Sequence, residues 1–221
     1  VPKRSRPKVY SATEEDYCAL LSAADTGTIE GLQTYVLVRL LWETGLRYSD
    51  LCKLTFSQLE QNGTIVVMHK TDTEVAVAWS EKTQEHVKRL KTLFRLVGQG
   101  HQYIFATKKI NRPMTNQYAC RKIKELAMQA NVSDKISPHA FRRGSAKIIY
   151  QKYGPKAAQE FLGHSDMKTT SIYLEDKMEK QLENAINRFN IETNEKQPNW
   201  WEQSLNPAKS ISRKKEESSQ T

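Results

Sequence analysis

The sequence contains no run of 18 or more apolar residues, so it offers no candidate membrane-spanning helix. Its opening, VPKRSRPKVY, has basic residues but no apolar stretch behind them, so no signal peptide is expected. Cysteine is scarce: Cys18, Cys52 and Cys120 are odd in number, far apart and never in a Cys-x-x-Cys pair. Neither a disulfide framework nor a zinc site is expected, and the three read as ordinary thiols of a reducing compartment. These absences lead us to expect a soluble, intracellular protein. The most informative absence is of acid, because His86 to Lys124 holds ten Lys or Arg and no Asp or Glu.

Lys and Arg total 34 against 25 Asp and Glu, a net charge of +9 with a pI near 9.4. Residues 191–221 hold five of each sign, so the whole excess, 29 against 20, lies in residues 1–190. A basic run reads either as a solvated face or as a polyanion-binding surface, and nucleic acid is the leading partner. At 221 residues and 38% hydrophobic content the chain can build one large core.

The opening KRSRPK, with Pro2 and Pro7 nearby, reads as an extended linker. Thr13 and Asp16 form a capping-box pattern for a helix through about Ala24. LQTYVLVRLLWET is a second, strongly apolar helix that Gly45 closes, and a short third helix spans Ser49 to about Leu54. TIVVMH and EVAVAW, separated by residues 70–73, predict an antiparallel hairpin with Lys70 at its turn. Glu81 to about Val97 reads as a helix and YIF as a third short strand. Thr115 caps a helix to about Ala130, and Ser137 with Pro138 starts another through about Tyr150. Pro155 opens the helix PKAAQEFL, which Gly163 ends; Met167 to Leu174 and Met178 to about Phe189 also read as helical. The expected fold is mainly α with a small antiparallel β-sheet.

Polar residues at helix starts and turns gather into a few blocks. TGLRYSDLCKL surrounds Arg47, Lys70 sits on the hairpin, and SPHAFRRGSA places His139 and Arg142 three apart, on one helix face. LGHSDMKTTSIYL places Tyr173 nine residues after His164. Taken singly these have plain readings: a core or surface tyrosine, structural histidines, Arg47 as a cation at a helix C-terminus, Asp50 serving the start of the next helix.

Jointly, TGLR-x-x-D-L-x-x-L, the hairpin lysine, H-x-x-R, and LGH with a tyrosine nine residues on resemble the tyrosine recombinases of the phage-integrase and Xer type, in order and spacing, over roughly residues 10–190. The resemblance implies a tyrosine-recombinase catalytic-domain fold and strand cleavage and rejoining through a 3′-phosphotyrosine intermediate. Arginine binds phosphate oxygens through a planar fork that keeps its charge, so Arg47 and Arg142 can take the place of metal ions, and no metal or cofactor is expected. A tyrosine with an ordinary pKa near about 10 needs cations and a proton acceptor to attack at neutral pH, and His139 is the candidate acceptor. By resemblance Tyr173 is the nucleophile, Lys70 protonates the leaving 5′ oxygen, His164 hydrogen-bonds the scissile phosphate and Asp50 orients the site. The HKT around Lys70 departs from the Gly-Lys-Gly of many relatives, so Lys108 and Lys109 remain alternatives.

Lys108, Lys109, Arg112, Arg121, Lys122 and Lys124 are the expected DNA contacts from the basic run. Arg143 reads either as a second phosphate contact or as a surface residue. Residues 1–10 are expected to be a basic interdomain linker, 11–190 the catalytic domain and 191–221 a flexible tail, with the relatives' N-terminal DNA-clamping domain absent from this sequence. Double-stranded DNA, a homo-tetramer linked through the C-terminal helix, and accessory DNA-bending proteins are the expected partners, with no membrane. Two other functions stay open: a type IB topoisomerase and a non-cleaving DNA-binding module.

Overall fold

The computed structural model describes residues 10–107 and 110–163. The expected helices after Gly163 lie outside these residues. One helix, α2 (Ile29–Thr44), organises the rest, because it is apolar on every side and must be covered all round. Five helices pack on it: α1 (Glu14–Ala23), α3 (Tyr48–Leu51), α4 (Glu81–Leu96), α5 (Asn116–Gln129) and α6 (Pro138–Leu162). Leu32, Val36, Val38, Leu40 and Leu41 of α2 are wholly buried. The described residues contain no helix long and apolar enough to cross a membrane.

Burying α2 on all sides also buries its polar residues, and each finds partners. Gln33 Nε2 donates to the carbonyls of Ile104 and Ala106 at 2.8 and 3.2 Å. Arg39 and Glu43, one helical turn apart, form a 2.8 Å ion pair. Arg39 donates to Thr83 Oγ1, Ser80 Oγ and Tyr35 Oη, while Glu43 accepts from the hydroxyls of Ser80 and Thr83 and from the Ser80 backbone N–H. Ser80 is also the N-cap of α4. The pair thus fixes the start of α4 against the middle of α2, and losing one partner of such a buried pair costs about 3–5 kcal/mol.

Strands β1 (Gly63–Met68) and β2 (Thr73–Ala78) form the expected antiparallel hairpin, with Gly63 opposite Ala78 and Met68 opposite Thr73. Val66, Met68, Val75 and Val77 face the core, while Ile65 and Val67 remain exposed. The expected strand at Tyr103–Phe105 is not one. Tyr103 makes only an isolated bridge to Thr55, and the strands come just after it, β3 (Ala106–Thr107) and β4 (Ile110–Pro113). The reason is the local hydrogen bonding: the Ile104 carbonyl is taken by the Gln33 side chain and its N–H by the Leu54 carbonyl, leaving no ladder to extend.

Helix α6 is two helices joined at Gly154, whose backbone (φ 85°, ψ 179°) is not helical. Pro155 follows as the opening residue of the second piece, as expected from sequence, and Gly163 closes it in the left-handed conformation. Residues 10–13 lie across the first piece. Ala12 N–H donates to the Ala140 carbonyl at 3.0 Å, and Arg143 donates to the Tyr10 carbonyl through Nε, at 2.9 Å, and Nη2. The segment is stiffened by the Thr13–Asp16 capping box and by the Tyr10 hydroxyl on Asp16 at 2.6 Å. Burial first, and then Asp16, pushes the Tyr10 phenol up to about 12.

Gly144 is where this segment comes closest to α6, since a Cβ there would lie 2.1 Å from the Ala12 carbonyl oxygen. Helix propensity alone would favour Ala at this position by about 1 kcal/mol. We expect overpacking to reverse the sign, so that Gly144→Ala lowers stability by about 1–3 kcal/mol in urea denaturation. A stabilised variant would show that the crossing segment yields freely.

Candidate active site

Two helix ends and one hairpin tip build the site. Helix α2 ends at Gly45 in the left-handed conformation (φ 59°), where a Cβ would meet the Phe161 ring at 2.3 Å. Only glycine allows both the turn and the approach of α6. The chain then leads through buried Leu46 to Arg47, the N-cap of α3, whose side chain makes no capping bond. Arg47 is half-buried, and its Nη1 is buried without a hydrogen-bond partner among the described residues. Such a donor is a strong demand for an acceptor that the described residues do not provide.

Asp50 lies one turn along, 3% exposed. Its Oδ1 accepts the backbone N–H of His69 at 3.0 Å, tying α3 to the hairpin, while Oδ2 is buried with no partner among the described residues. The hairpin turn closes just beyond, with the Met68 carbonyl accepting from Thr71 and Asp72 at 3.2 and 2.8 Å. Asp72 takes the left-handed conformation (φ 49°), which favours glycine but which aspartate also tolerates. Lys70 is exposed on this turn, immediately after the anchored His69.

Helix α6 supplies the opposite wall. Ser137 caps it by accepting from the Ala140 N–H, Pro138 is its first residue, and His139 stands exposed on the first turn. Arg142, one turn further, is 7% exposed. Its guanidinium donates to the Gly45 carbonyl through Nη1 and to the Leu162 carbonyl, at 2.7 Å, through Nη2. Both acceptors belong to helix ends that left-handed glycines terminate, leaving carbonyls with no helical N–H to serve. Burial, and then the neighbouring Arg47 charge, pushes the Arg142 pKa down to about 10, with Asp50 opposing. Arg142 therefore stays charged at neutral pH beside a second arginine, an arrangement that favours an anion between them.

His139 and Arg142 also line a cavity of about 400 Å³ with Arg143, Lys147, Tyr150 and Leu162. Arg47, Asp50 and Arg142 are thus gathered into one electrostatic cluster, with His139 on the same helix face and Lys70 on the anchored hairpin. His164, Tyr173, Lys108 and Lys109 lie outside the described residues. No three His, Cys, Asp or Glu side chains gather as a metal site among the described residues.

The acid-free run is less naked in three dimensions than in sequence. Lys122 pairs with Glu30 and with Glu125, the latter at 2.6 Å; Arg121 pairs with Glu125 at 3.6 Å, and Lys91 with Glu60 at 3.0 Å. Glu125 lies just past the end of the run, and Glu30 and Glu60 come from elsewhere. Arg112 and Lys124 are exposed. Arg143 directs its fork at the Tyr10 carbonyl. Sequence reading missed the Gly45 and Leu162 carbonyls as partners of Arg142, and Asp50 as the hairpin anchor; the two glycine caps were the available signal for the first.

The model of the phage integrase family matches residues 11–180. A tyrosine recombinase XerD from Neisseria meningitidis serogroup B is 32% identical over 166 residues, covering 73% of this chain and 56% of the relative. The chain therefore spans little more than half the length of that relative. Among solved structures, the XerA recombinase superposes with a TM-score of 0.60 at 21% identity, over 89% of this chain and 68% of that one. The lambda integrase bound to DNA gives a TM-score of 0.59 at 21% identity, over 78% of this chain and 62% of that one. These neighbours share the fold, a mainly helical catalytic domain with a small antiparallel sheet. With the family model covering most of the sequence and the arginine cluster in place, the chain belongs to the phage integrase family.

Proposed function

We propose that this chain is the catalytic domain of a site-specific DNA recombinase that cuts and rejoins strands through a 3′-phosphotyrosine bond. The observation that carries this is Arg47 Nη1, a buried donor without a partner among the described residues, set beside the charged Arg142 and the anchored Asp50. A phosphodiester would supply the missing acceptor and relieve the repulsion between the two cations. The Tyr173 oxygen attacks phosphorus, the bond to the 5′ oxygen breaks, and that oxygen leaves with a proton. Lys70 is the donor of that proton, and His139 accepts the proton of the attacking phenol. His164 contributes a hydrogen bond to the phosphate, a role that rests on its place in LGH. Arg47 and Arg142 hold the negative charge that grows on the non-bridging oxygens. Rejoining reverses these steps with the energy conserved in the phosphotyrosine bond, so no cofactor is consumed.

Double-stranded DNA is the substrate in this reading, with Arg112 and Lys124 as exposed backbone contacts. Lys108 and Lys109 join them on sequence grounds alone, while Arg121 and Lys122 contribute to the extent that DNA competes with Glu125 and Glu30. One lambda integrase structure is of a tetramer bound to a Holliday junction. By analogy, this chain assembles as a homo-tetramer on DNA through the segment after Tyr173, assisted by DNA-bending proteins, and works inside the cell on DNA.

Arg47→Ala tests the carrying observation. It should lower single-turnover cleavage of a nicked site by roughly 10² or more, the scale of losing one electrostatic contact to the transition state. A near-normal rate would remove Arg47 from the phosphate site.

Tyr173→Phe should eliminate the denaturant-resistant protein–DNA adduct and leave DNA affinity almost intact, since only an oxygen is lost. Tyr150 makes this a real contest, because it is 56% exposed and lines the cavity with His139 and Arg142. An adduct that persists in Tyr173→Phe and disappears in Tyr150→Phe would move the nucleophile there.

Lys70→Ala should be slow on ordinary DNA and largely restored on a substrate whose bridging 5′ oxygen is sulfur, a leaving group that needs no proton. Equal defects on the two substrates would make Lys70 a DNA-positioning residue and place the acid elsewhere.

A further inference from the structure

We propose that Arg143 is a positioning residue: it clamps residues 10–13 across α6 and so fixes the turn that carries His139 and Arg142. This rests on reading those two residues as phosphate-site groups, but the clamp itself is defined by contacts to residues 10–13. Arg143 follows Arg142 directly and lines the same cavity, but its fork is committed to residues 10–13, with Nε and Nη2 both on the Tyr10 carbonyl. Two bonds from one planar group to one oxygen set both the distance and the direction of the crossing segment.

The segment is gripped along its length. Ala12 N–H bonds to the Ala140 carbonyl, between His139 and Phe141, and the Ala12 oxygen occupies the space left by the missing side chain of Gly144. Beyond Ala12, Thr13 caps α1 in a reciprocal box with Asp16, and Asp16 also receives the Tyr10 hydroxyl. The grip therefore joins α1 to the first two turns of α6 through a piece of chain that belongs to neither. Those turns begin at Ser137, after a loop, and the crossing segment bonds their backbone at Ala140.

A phosphate contact and a positioning clamp predict different behaviour of the same variants. In the full chain, Arg143→Gln should lower single-turnover cleavage at saturating DNA by on the order of 10- to 100-fold, the scale of a small misplacement of reacting groups. The dissociation constant and its salt dependence should be unchanged. Arg143→Lys, which keeps one donor for the Tyr10 carbonyl, should recover part of the rate. Gly144→Ala, which displaces the same segment without altering charge, should share the defect, and combining it with Arg143→Gln should add little. Weakened binding with a salt slope reduced by about one would instead make Arg143 a phosphate contact and overturn the clamp. So would an unchanged cleavage rate. Hydrogen exchange of the amides at 140–143 supplies a reading that needs no reaction: it should accelerate in Arg143→Gln while the amides of α2 stay protected. Unaltered exchange would overturn the clamp. If the unmodified chain forms no adduct on any nicked site, the recombinase reading fails, and the exchange experiment still decides the clamp.

Discussion

The Arg142 fork is the contact on which the candidate site depends. One guanidinium joins the end of α2 to the end of α6 by bonding a carbonyl at each, and each carbonyl is available because a left-handed glycine ends its helix. Arg47 emerges two residues after the first of these carbonyls, and His164 follows the second by two. The spacing of the site is therefore set by backbone oxygens on a rigid planar group and not by long side chains reaching towards one another. This arrangement comes at a cost in charge, since Arg142 is buried beside Arg47 and its pKa falls accordingly. Arg47 Nη1, buried without a hydrogen-bond partner among the described residues, is part of the same cost. A protein keeps a local conflict of this kind where function requires it, and the DNA phosphate proposed above would resolve it.

Much of this was legible in the sequence. Capping residues Thr13, Ser137 and Pro138, the glycines at 45 and 163, and the alternation in TIVVM and EVAVA each express a local backbone preference, and the structure follows them. The break at Gly154 and Pro155 was visible for the same reason. Tyr103–Phe105 misled because burial and strand pairing leave the same apolar signature; only the long-range bond from Gln33 distinguishes them. For the candidate site, Arg47, Asp50, Lys70, His139 and Arg142 were singled out by motif, and the structure brings Arg47, Asp50 and Arg142 together. Which atoms hold them there was not legible, because the partners are carbonyls and a backbone N–H from distant residues.

Electrostatics were the least legible feature. The acid-free stretch after Glu85 looks like an unbroken positive surface, yet Glu30, Glu60 and Glu125 reach it in the folded chain and pair with three of its cations. The opposite error applies to α2, where Arg39 and Glu43 look like routine helix polarity and are in fact the buried link to α4. Their spacing of four within an otherwise apolar helix was the clue. Charge counted along a sequence measures neither exposure nor partnership.

Gly154 has a different sort of consequence. A Cβ placed there would touch nothing within 4 Å, so the glycine is required by torsion alone (φ 85°) and not by crowding. Residues 155–162 therefore leave the rest of α6 through a backbone joint set by Gly154, and they are held again where Phe161 packs against Gly45 and Leu162 bonds Arg142. A substitution at residue 154 would therefore act on the direction of this arm through backbone torsion rather than through a lost contact. The fold thus sets the arginine-bearing turn by hydrogen bonds and close packing, and the course of the arm beyond it by one backbone torsion.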